Sequence, residues 1–407
     1  MAKRDLSSFF ETYLEKDQLF QNKGALLANY VPECVDYRDE QIEAVAQILA
    51  PALKQDKPSN LFIYGKTGTG KTLSVQHITA QMLEITEKKE IQLHITYLNC
   101  KLKKVADTEY RLVAELARDF GRTIPPTGLP TDEVYKLFFD SLDKRKGIII
   151  IVLDEIDQLL KKAGDEILYN LTRINSELKN SQVAIIGISN DLLFTEGLDA
   201  RVKSSLSEEE LVFPPYNALQ IQNILRQRSD EAFKKDALEQ GVIEKCAAYA
   251  AREHGDVRRA IDLLRVAGEL AERQNCVKVQ IEHLDAAEDK IERDRIQDTV
   301  MTQPKQHQAC LFSIITLFEH QDPKKKRPYG LTGEVYDVYK EICRKVGLRP
   351  LTQRRISDLI TELDMLGIIN AKIISKGRFG RTREIQLSIP SSTKPKIIKI
   401  LQESLGI

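Results

Sequence analysis

The stretch LFIYGKTGTGKT, residues 61–72, constrains this chain more than any other part of it. Four residues suited to a strand run directly into Gly65-Lys66-Thr67-Gly68-Thr69-Gly70-Lys71-Thr72, and a helical segment follows from Leu73. This is the spacing G-x-x-x-x-G-K-[ST], a loop that wraps its backbone N–H groups around phosphates at a helix N-terminus. Lys71 supplies a point charge for the β- and γ-phosphates, and the Thr72 hydroxyl suits Mg²⁺. Such a loop sits at the end of a parallel sheet, and the sequence contains strands for one. LHITYLN (93–99), IIIIVLD (148–154) and VAIIGIS (183–189) are β-branched runs separated by helical segments. That pattern predicts strands buried on both faces of a doubly wound sheet.

The run 148–154 ends in Asp154 and Glu155, at the strand end where open α/β sheets bind ligands. Asp154 is placed to hold magnesium through water, and Glu155 to polarise an attacking water. Asn190 closes the run 183–189, where its side chain could meet a γ-phosphate, position the water or cap the next turn. Arg201 and Arg258 lie far from the loop in sequence, and by themselves they read only as surface cations.

With 407 residues the chain exceeds the ~250–300 at which single cores stop growing, so two or three domains are expected. Beyond about Pro214 the strand pattern gives way to helical spacing through residue 294, as in VRRAIDLLRVAGELAERQ, which predicts a small helical lid. Residues 292–306 are then expected to carry the chain across to a third domain. The divisions are 1–24, a flexible N-terminal segment; 25–215, the phosphate-loop core; 216–296, the lid; and 297–407. Net charge is zero, yet residues 301–407 hold 19 Lys/Arg against 10 Asp/Glu, a net +9 that leaves −9 on the rest. A basic tail on an acidic body points to a polyanionic partner at the C-terminus. The six cysteines form no CxxC pair, which disfavours a zinc site or disulfide framework and predicts free core thiols. No apolar run approaches the ~20 residues that span a bilayer, and the charged N-terminus lacks the core of a signal peptide. No membrane association and an intracellular, cytoplasmic location are expected.

In the tail, residues 331–347 pattern as a helix with Val335, Val338, Tyr339, Ile342 and Val346 on one face. After the link LRP, Thr352 is a suitable N-cap for a second helix, 353–367, burying Ile356, Leu359, Ile360, Leu363 and Leu366. Two helices joined by a tight turn make a helix-turn-helix, and Gln353, Arg354 and Arg355 stand where base edges and phosphates are met. Two strands follow, joined by the tip Lys376-Gly377-Arg378-Phe379-Gly380-Arg381, with Arg383 two residues on. This is a wing, whose glycines allow close approach and whose arginines suit a minor groove or phosphates. A loop 321–330, QDPKKKRPYG, adds further basic charge.

With these motifs in order, the sequence resembles the AAA+ superfamily, and within it the archaeal replication initiators similar to origin recognition complex subunit one and cell division control protein six. The resemblance runs from about Tyr30 to about Pro390. It is carried by YVPECVDYRDEQI, YGKTGTGKT, VLDEIDQLL, LYNLTRINSEL, RVKSSLSEEELVFPPYN, AAREHGDVRRAIDLLRVAGE and LTQRRISDLITELDMLGI. It implies an α/β AAA+ P-loop sheet with a helical lid, and a C-terminal winged helix. By position, Asn190 resembles the sensor-one residue and Arg258 the sensor-two arginine. Arg201 resembles the arginine finger that reaches a neighbouring subunit's nucleotide, although Ala200 stands where family members often have proline. Tyr216 and Arg228 match positions bordering the nucleotide between core and lid, while Tyr30, Val31 and Pro32 resemble the adenine-side wall. Residues 101–135 correspond to initiator-specific helices that touch DNA, with Arg122 and Thr123 as contacts. The implied function is a slow ATPase switch using ATP/ADP and Mg²⁺. It would bind double-stranded origin DNA in the nucleoid and help load the minichromosome maintenance helicase, with other copies or paralogues of itself on the DNA. A clamp-loader-like motor, or an ATP-controlled transcription regulator, would use the same parts.

Overall fold

The computed structural model describes residues 18–27, 30–32, 34–101, 108–125, 128–164, 166–192, 200, 202–203, 209–252, 255–319, 329–375, 381–390 and 393–407. The chain forms two compact units, one through Leu284 and one from Asp285.

In the first unit, α1 (Asp39–Leu49) precedes β1 (Leu61–Tyr64), which leads through the phosphate loop into α2 (Lys71–Lys89). Then come β2 (Leu93–Asn99), α3 (Glu109–Asp119), α4 (Thr131–Asp143) and β3 (Gly147–Asp154). Next are α5 (Ile156–Ala163), α6 (Glu166–Thr172), β4 (Ser181–Ser189) and β5 (Glu209–Val212). The five strands are parallel in the order β2-β3-β4-β1-β5. Period-two alternation divides β3 between two cores. Ile149, Ile151 and Leu153 pack with Phe62, Leu116 and Phe138 on one face, and Ile148, Ile150 and Val152 with Val45, Leu49, Val75 and Ile78 on the other. Covered on both sides, the strand has no polar face, hence its uninterrupted apolar run. β5 has the composition Glu-Glu-Leu-Val and lacks the apolar run that marks the others. It sits at the sheet's edge with three of its four residues exposed, so burial placed no apolar demand on it.

The lid is built from α7 (Ala218–Ala232), α8 (Val242–Arg252) and α9 (Val257–Arg273), after which α10 (Ile281–Thr302) begins. Asn217 and Gln220 form a reciprocal capping box at the start of α7. Leu19 and Phe20, expected within a flexible segment, are buried. Phe20 stacks on Phe233 with ring centroids 4.6 Å apart, and the Leu19 N–H donates to Glu272 Oε1 at 2.9 Å. Apolar burial therefore holds Leu19 and Phe20 within the stretch expected to be flexible.

The segment expected to cross to the tail is helical. α10 continues to Thr302, and α11 (Lys305–Glu319) starts after Pro304. The second unit goes on with β6 (Gly330–Leu331), α12 (Thr332–Val346), α13 (Gln353–Met365), β7 (Ile369–Ser375), β8 (Arg381–Leu387) and α14 (Lys394–Leu405). Its antiparallel sheet has the order β6-β8-β7. Val335, Tyr339 and Ile342 of α12 meet Ile356, Leu359, Ile360 and Leu363 of α13 in one core with α11 and α14. Leu366, expected on this buried face, is 37% exposed because α13 ends at Met365 and Leu366 turns out at its C-cap. Four of the six cysteines are buried, but Cys34 is exposed and Cys276 is half-buried. Among the described residues no helix is long and apolar enough to cross a membrane.

Candidate nucleotide site and duplex-facing surface

Sheet register sets the site. Asp154 ends β3 beside Ile188 of β4, and Ser189, the last residue of β4, pairs with Tyr64, the last of β1. The phosphate loop, the Asp154–Glu155 corner and Asn190 therefore issue from three adjacent strand ends. Gly68 and Gly70 lie in the left-handed region, at φ +70° and +84°, where a side chain would be strained. Lys71 folds back over the loop. Its Nζ donates to the Gly65 carbonyl at 2.8 Å, the Lys66 carbonyl at 2.7 Å and Asn190 Oδ1 at 2.9 Å. Burial lowers its pKa to about 8, against the opposing pull of Asp154. An ammonium so desolvated, and held among the described residues by neutral acceptors, is ready for an anion.

The Thr72 hydroxyl donates to Asp154 Oδ2 at 3.0 Å, and the Glu155 N–H donates to Asp154 Oδ1 at 2.9 Å. The Tyr97 hydroxyl, on β2, also donates to Asp154 Oδ2, and burial pushes its own pKa up. Glu155 stands in the left-handed region at φ +54°, with its carboxylate 3.3 Å from Lys101 Nζ. Asp157, in the first turn of the next helix, accepts from the Ser189 hydroxyl and the Asn190 N–H, both at 3.4 Å.

Beside the loop lies a cavity of about 740 Å³ whose walls include Tyr30, Leu73, Tyr216, Arg228 and Arg258, with Val31 at its mouth. Gly68, Gly70 and Thr72 form part of the same lining. The Arg228 guanidinium lies 4.3 Å from the Tyr30 ring centroid, and the Tyr30 hydroxyl donates to Glu231 Oε2 at 2.5 Å. Arg228 Nη1 is buried with no hydrogen-bond partner among the described residues, and burial lowers the group's pKa. Val31 is 62% exposed, a rim position rather than a wall. Arg201 lies outside the described residues.

Sequence reasoning missed Arg38, which is only 2% exposed. Its Nε donates to the Thr69 carbonyl at 2.9 Å and its Nη2 to the Pro214 carbonyl at 2.6 Å. The guanidinium is stacked 3.9 Å from the Tyr216 ring centroid, and burial lowers its pKa. It ties the loop to the chain entering the lid. Tyr97 and Asp157 were missed as well. Both lie in runs that patterned as ordinary strand and helix, so periodicity gave no sign of them.

Matches to known proteins run in the same order as these parts. Residues 54–193 match the AAA domain model, 222–289 the Cdc6 AAA+ ATPase-type lid domain, and 298–394 the CDC6 C-terminal winged helix domain. The ORC1-type DNA replication protein of Pyrococcus abyssi is 53% identical over 388 residues, covering 94% of this chain and 91% of that one. This chain belongs to the ORC1-type DNA replication proteins. The Methanosarcina mazei ORC1-type DNA replication protein 1 is 49% identical, covering 97% and 94%. The Aeropyrum pernix ORC1 protein, solved in complex with DNA, superposes with a TM-score of 0.83 at 42% identity, covering 95% of this chain and 98% of that one. Like its relatives, this ORC1-type chain carries an AAA+ ATPase domain, with the nucleotide binding that such a domain implies.

The winged helix of this ORC1-type protein exposes Gln353, Arg354 and Arg355 on the first turn of α13, which Thr352 caps through its side chain. Among the described residues Arg354 has no ion pair. Arg355 faces Asp358 at 3.5 Å and Glu362 at 3.8 Å. Arg383 does not stand free for a duplex. Its Nη1 donates to the Ser357 carbonyl at 2.7 Å and to the Thr361 hydroxyl, which fixes β8 against α13. The wing tip, Lys376, Gly377, Arg378, Phe379 and Gly380, lies outside the described residues, as does the Arg381 side chain. So does residue span 320–328, which holds most of the other basic loop. In the first unit Arg122 is half-buried and Thr123 exposed, just beyond α3.

Proposed function

We propose that this chain is a replication initiator whose grip on origin DNA is set by ATP binding and ended by slow hydrolysis. The observation that carries this reading is the joined set at the strand ends: Lys71 on Asn190, and Thr72 on Asp154. Thr72 and Asp154 offer two hard oxygen donors side by side, the chemistry that suits Mg²⁺. Bound there, the ion would neutralise charge developing between the phosphates. Lys71 exchanges its loop carbonyls for phosphate oxygens, and the loop N–H groups surround the anion. Glu155 orients the attacking water, with Asn190 beside the γ-phosphate and Arg258 approaching from the lid. Tyr30, Tyr216 and Arg228 enclose the base. Arg201 would act on a neighbouring copy's nucleotide. Gln353 and Arg354 meet base edges of double-stranded DNA, with Arg355, Arg122, Thr123 and the wing on the backbone. Recruitment of the minichromosome maintenance helicase, paralogues on the same origin and a cytoplasmic, nucleoid location belong to the same proposal.

A Glu155→Ala protein tests the hydrolytic half. It is expected to retain ATP while turnover falls by about a hundredfold or more, and unchanged turnover would remove Glu155 from this role. Nuclease footprinting across the host genome tests the rest. Bound sites should coincide with replication start sites, and clustering at promoters instead would make the chain a transcription regulator.

A further inference from the structure

The lid meets the phosphate loop at a residue that the assignments above leave unused. Asp256 stands just ahead of α9, where its Oδ1 accepts the N–H groups of Arg258 at 2.9 Å and Arg259 at 3.3 Å. Its Oδ2 accepts the Thr67 hydroxyl of the phosphate loop at 3.1 Å. The two segments are in close contact. A Cβ built on Gly68 would lie 1.9 Å from Asp256 Oδ1 and 3.0 Å from its Cα. On the other side Gly255, at φ +71°, presses on the chain entering the lid. A Cβ there would fall 2.4 Å from the Tyr216 carbonyl oxygen. Gly255 and Asp256 are thus wedged between the lid's entrance and the loop's tip. Two residues on, Arg258 lines the same cavity as Gly68 and Thr72, and its charge is felt at Lys71.

We propose that Asp256 is the positioning residue that holds Arg258 at the nucleotide, capping the N-terminus of α9 with one carboxylate oxygen and gripping the phosphate loop with the other. Because both acceptors belong to one carboxylate, the loop cannot shift without turning the first turn of α9. The placement of Arg258 then follows the loop's conformation, and occupation of the loop is transmitted to the lid. This rests on the loop being a nucleotide site.

The two arms can be cut separately. Thr67→Val removes the loop arm and leaves the cap. Asp256→Ser keeps a capping oxygen but has none left for Thr67, whereas Asp256→Asn retains an oxygen and a polar partner for both. Arg258→Ala is introduced into the parent, Thr67→Val and Asp256→Ser backgrounds, and dissociation constants for fluorescent ADP and ATP analogues are measured with melting temperatures. Each arm variant should weaken binding about three- to tenfold while melting like the parent. Arg258→Ala should cost the parent about tenfold, but less than about threefold once either arm is gone, because the residues act as one unit. Asp256→Asn should recover most of the loss. Should Asp256→Ser fail to fold, Thr67→Val carries the same comparison. An Arg258→Ala penalty of equal size in every background would overturn the proposal and leave Asp256 a helix cap only. A parent that binds neither analogue would overturn the nucleotide-site reading, and this proposal with it.

Discussion

Replacing Arg38 by methionine removes a cation that is 2% exposed and joined to two backbone carbonyls, while keeping a long, flexible side chain in its place. The Thr69 and Pro214 carbonyls would lose those donors, at ~1–3 kcal/mol each where no water reaches them. Loss of the stacking on Tyr216 would add up to ~2 kcal/mol. The opposing effect is relief from burying a guanidinium, whose pKa is lowered by that burial. A net loss of ~3 kcal/mol follows, since removing one partner from a buried charged contact leaves the others uncompensated. In a unit of this size that is a fall of about 6–12 °C in melting temperature. Because Thr69 belongs to the phosphate loop, the loosened loop must also be reordered on binding, which should weaken ADP about tenfold. Thermal melts with and without ADP, and titration with a fluorescent ADP analogue, check both numbers. Arg38→Lys keeps the charge but not the fork and should fall between the two. If Arg38→Met melts within about 2 °C of the parent and binds ADP as tightly, the reasoning that links this residue to the loop is wrong.

Other predictions concern residues whose partners are now known. Tyr97→Phe deletes a donor to Asp154 while leaving the Thr72 and Glu155 bonds in place. Nucleotide binding in EDTA should be unchanged, and the Mg²⁺ concentration for half-maximal ATP binding should rise about three- to tenfold. An unaltered Mg²⁺ requirement would show that Tyr97 does not hold that carboxylate. Arg354→Ala should relax base preference by ~1–3 kcal/mol at one position of a bound duplex. Arg383 was expected to meet phosphates, but its contacts are internal, so Arg383→Ala should lower affinity by displacing the wing while log K against log salt keeps its slope. A slope shallower by about one would instead mark a lost phosphate contact.

Much of this was legible in the sequence because burial and phosphate chemistry leave strong marks. Strands β1 to β4 announced themselves through β-branched runs, and the glycine spacing of the loop marked the candidate nucleotide site. What stayed hidden was set by three-dimensional neighbours. β5 carries two glutamates because both are exposed at the sheet's edge, and Leu19 and Phe20 gave no periodic signal in so short a segment. Arg38 and Tyr97 take their roles from carbonyls and a carboxylate dozens of residues away. The residues between 292 and 302 are too polar to look like a packed helix, yet α10 runs through them. Arg383 reads from sequence only as a basic residue in a basic wing, and the bonds of its Nη1 to Ser357 and Thr361 could not be foreseen there.

The left-handed backbone at Glu155 has a consequence for lineages of such proteins. A non-glycine residue pays ~1–2 kcal/mol to stand there, and glutamate brings no local hydrogen bond that would ease it, as asparagine can. Glu90 carries the same φ at a helix C-cap, so the strain alone assigns no role, but the water-orienting role proposed for Glu155 would require the carboxylate to stay at that corner. A duplicated gene copy released from hydrolysing ATP would be free to relax into glycine or asparagine at this one codon, so the identity of the residue offers a way to tell working switches from copies retained for binding alone.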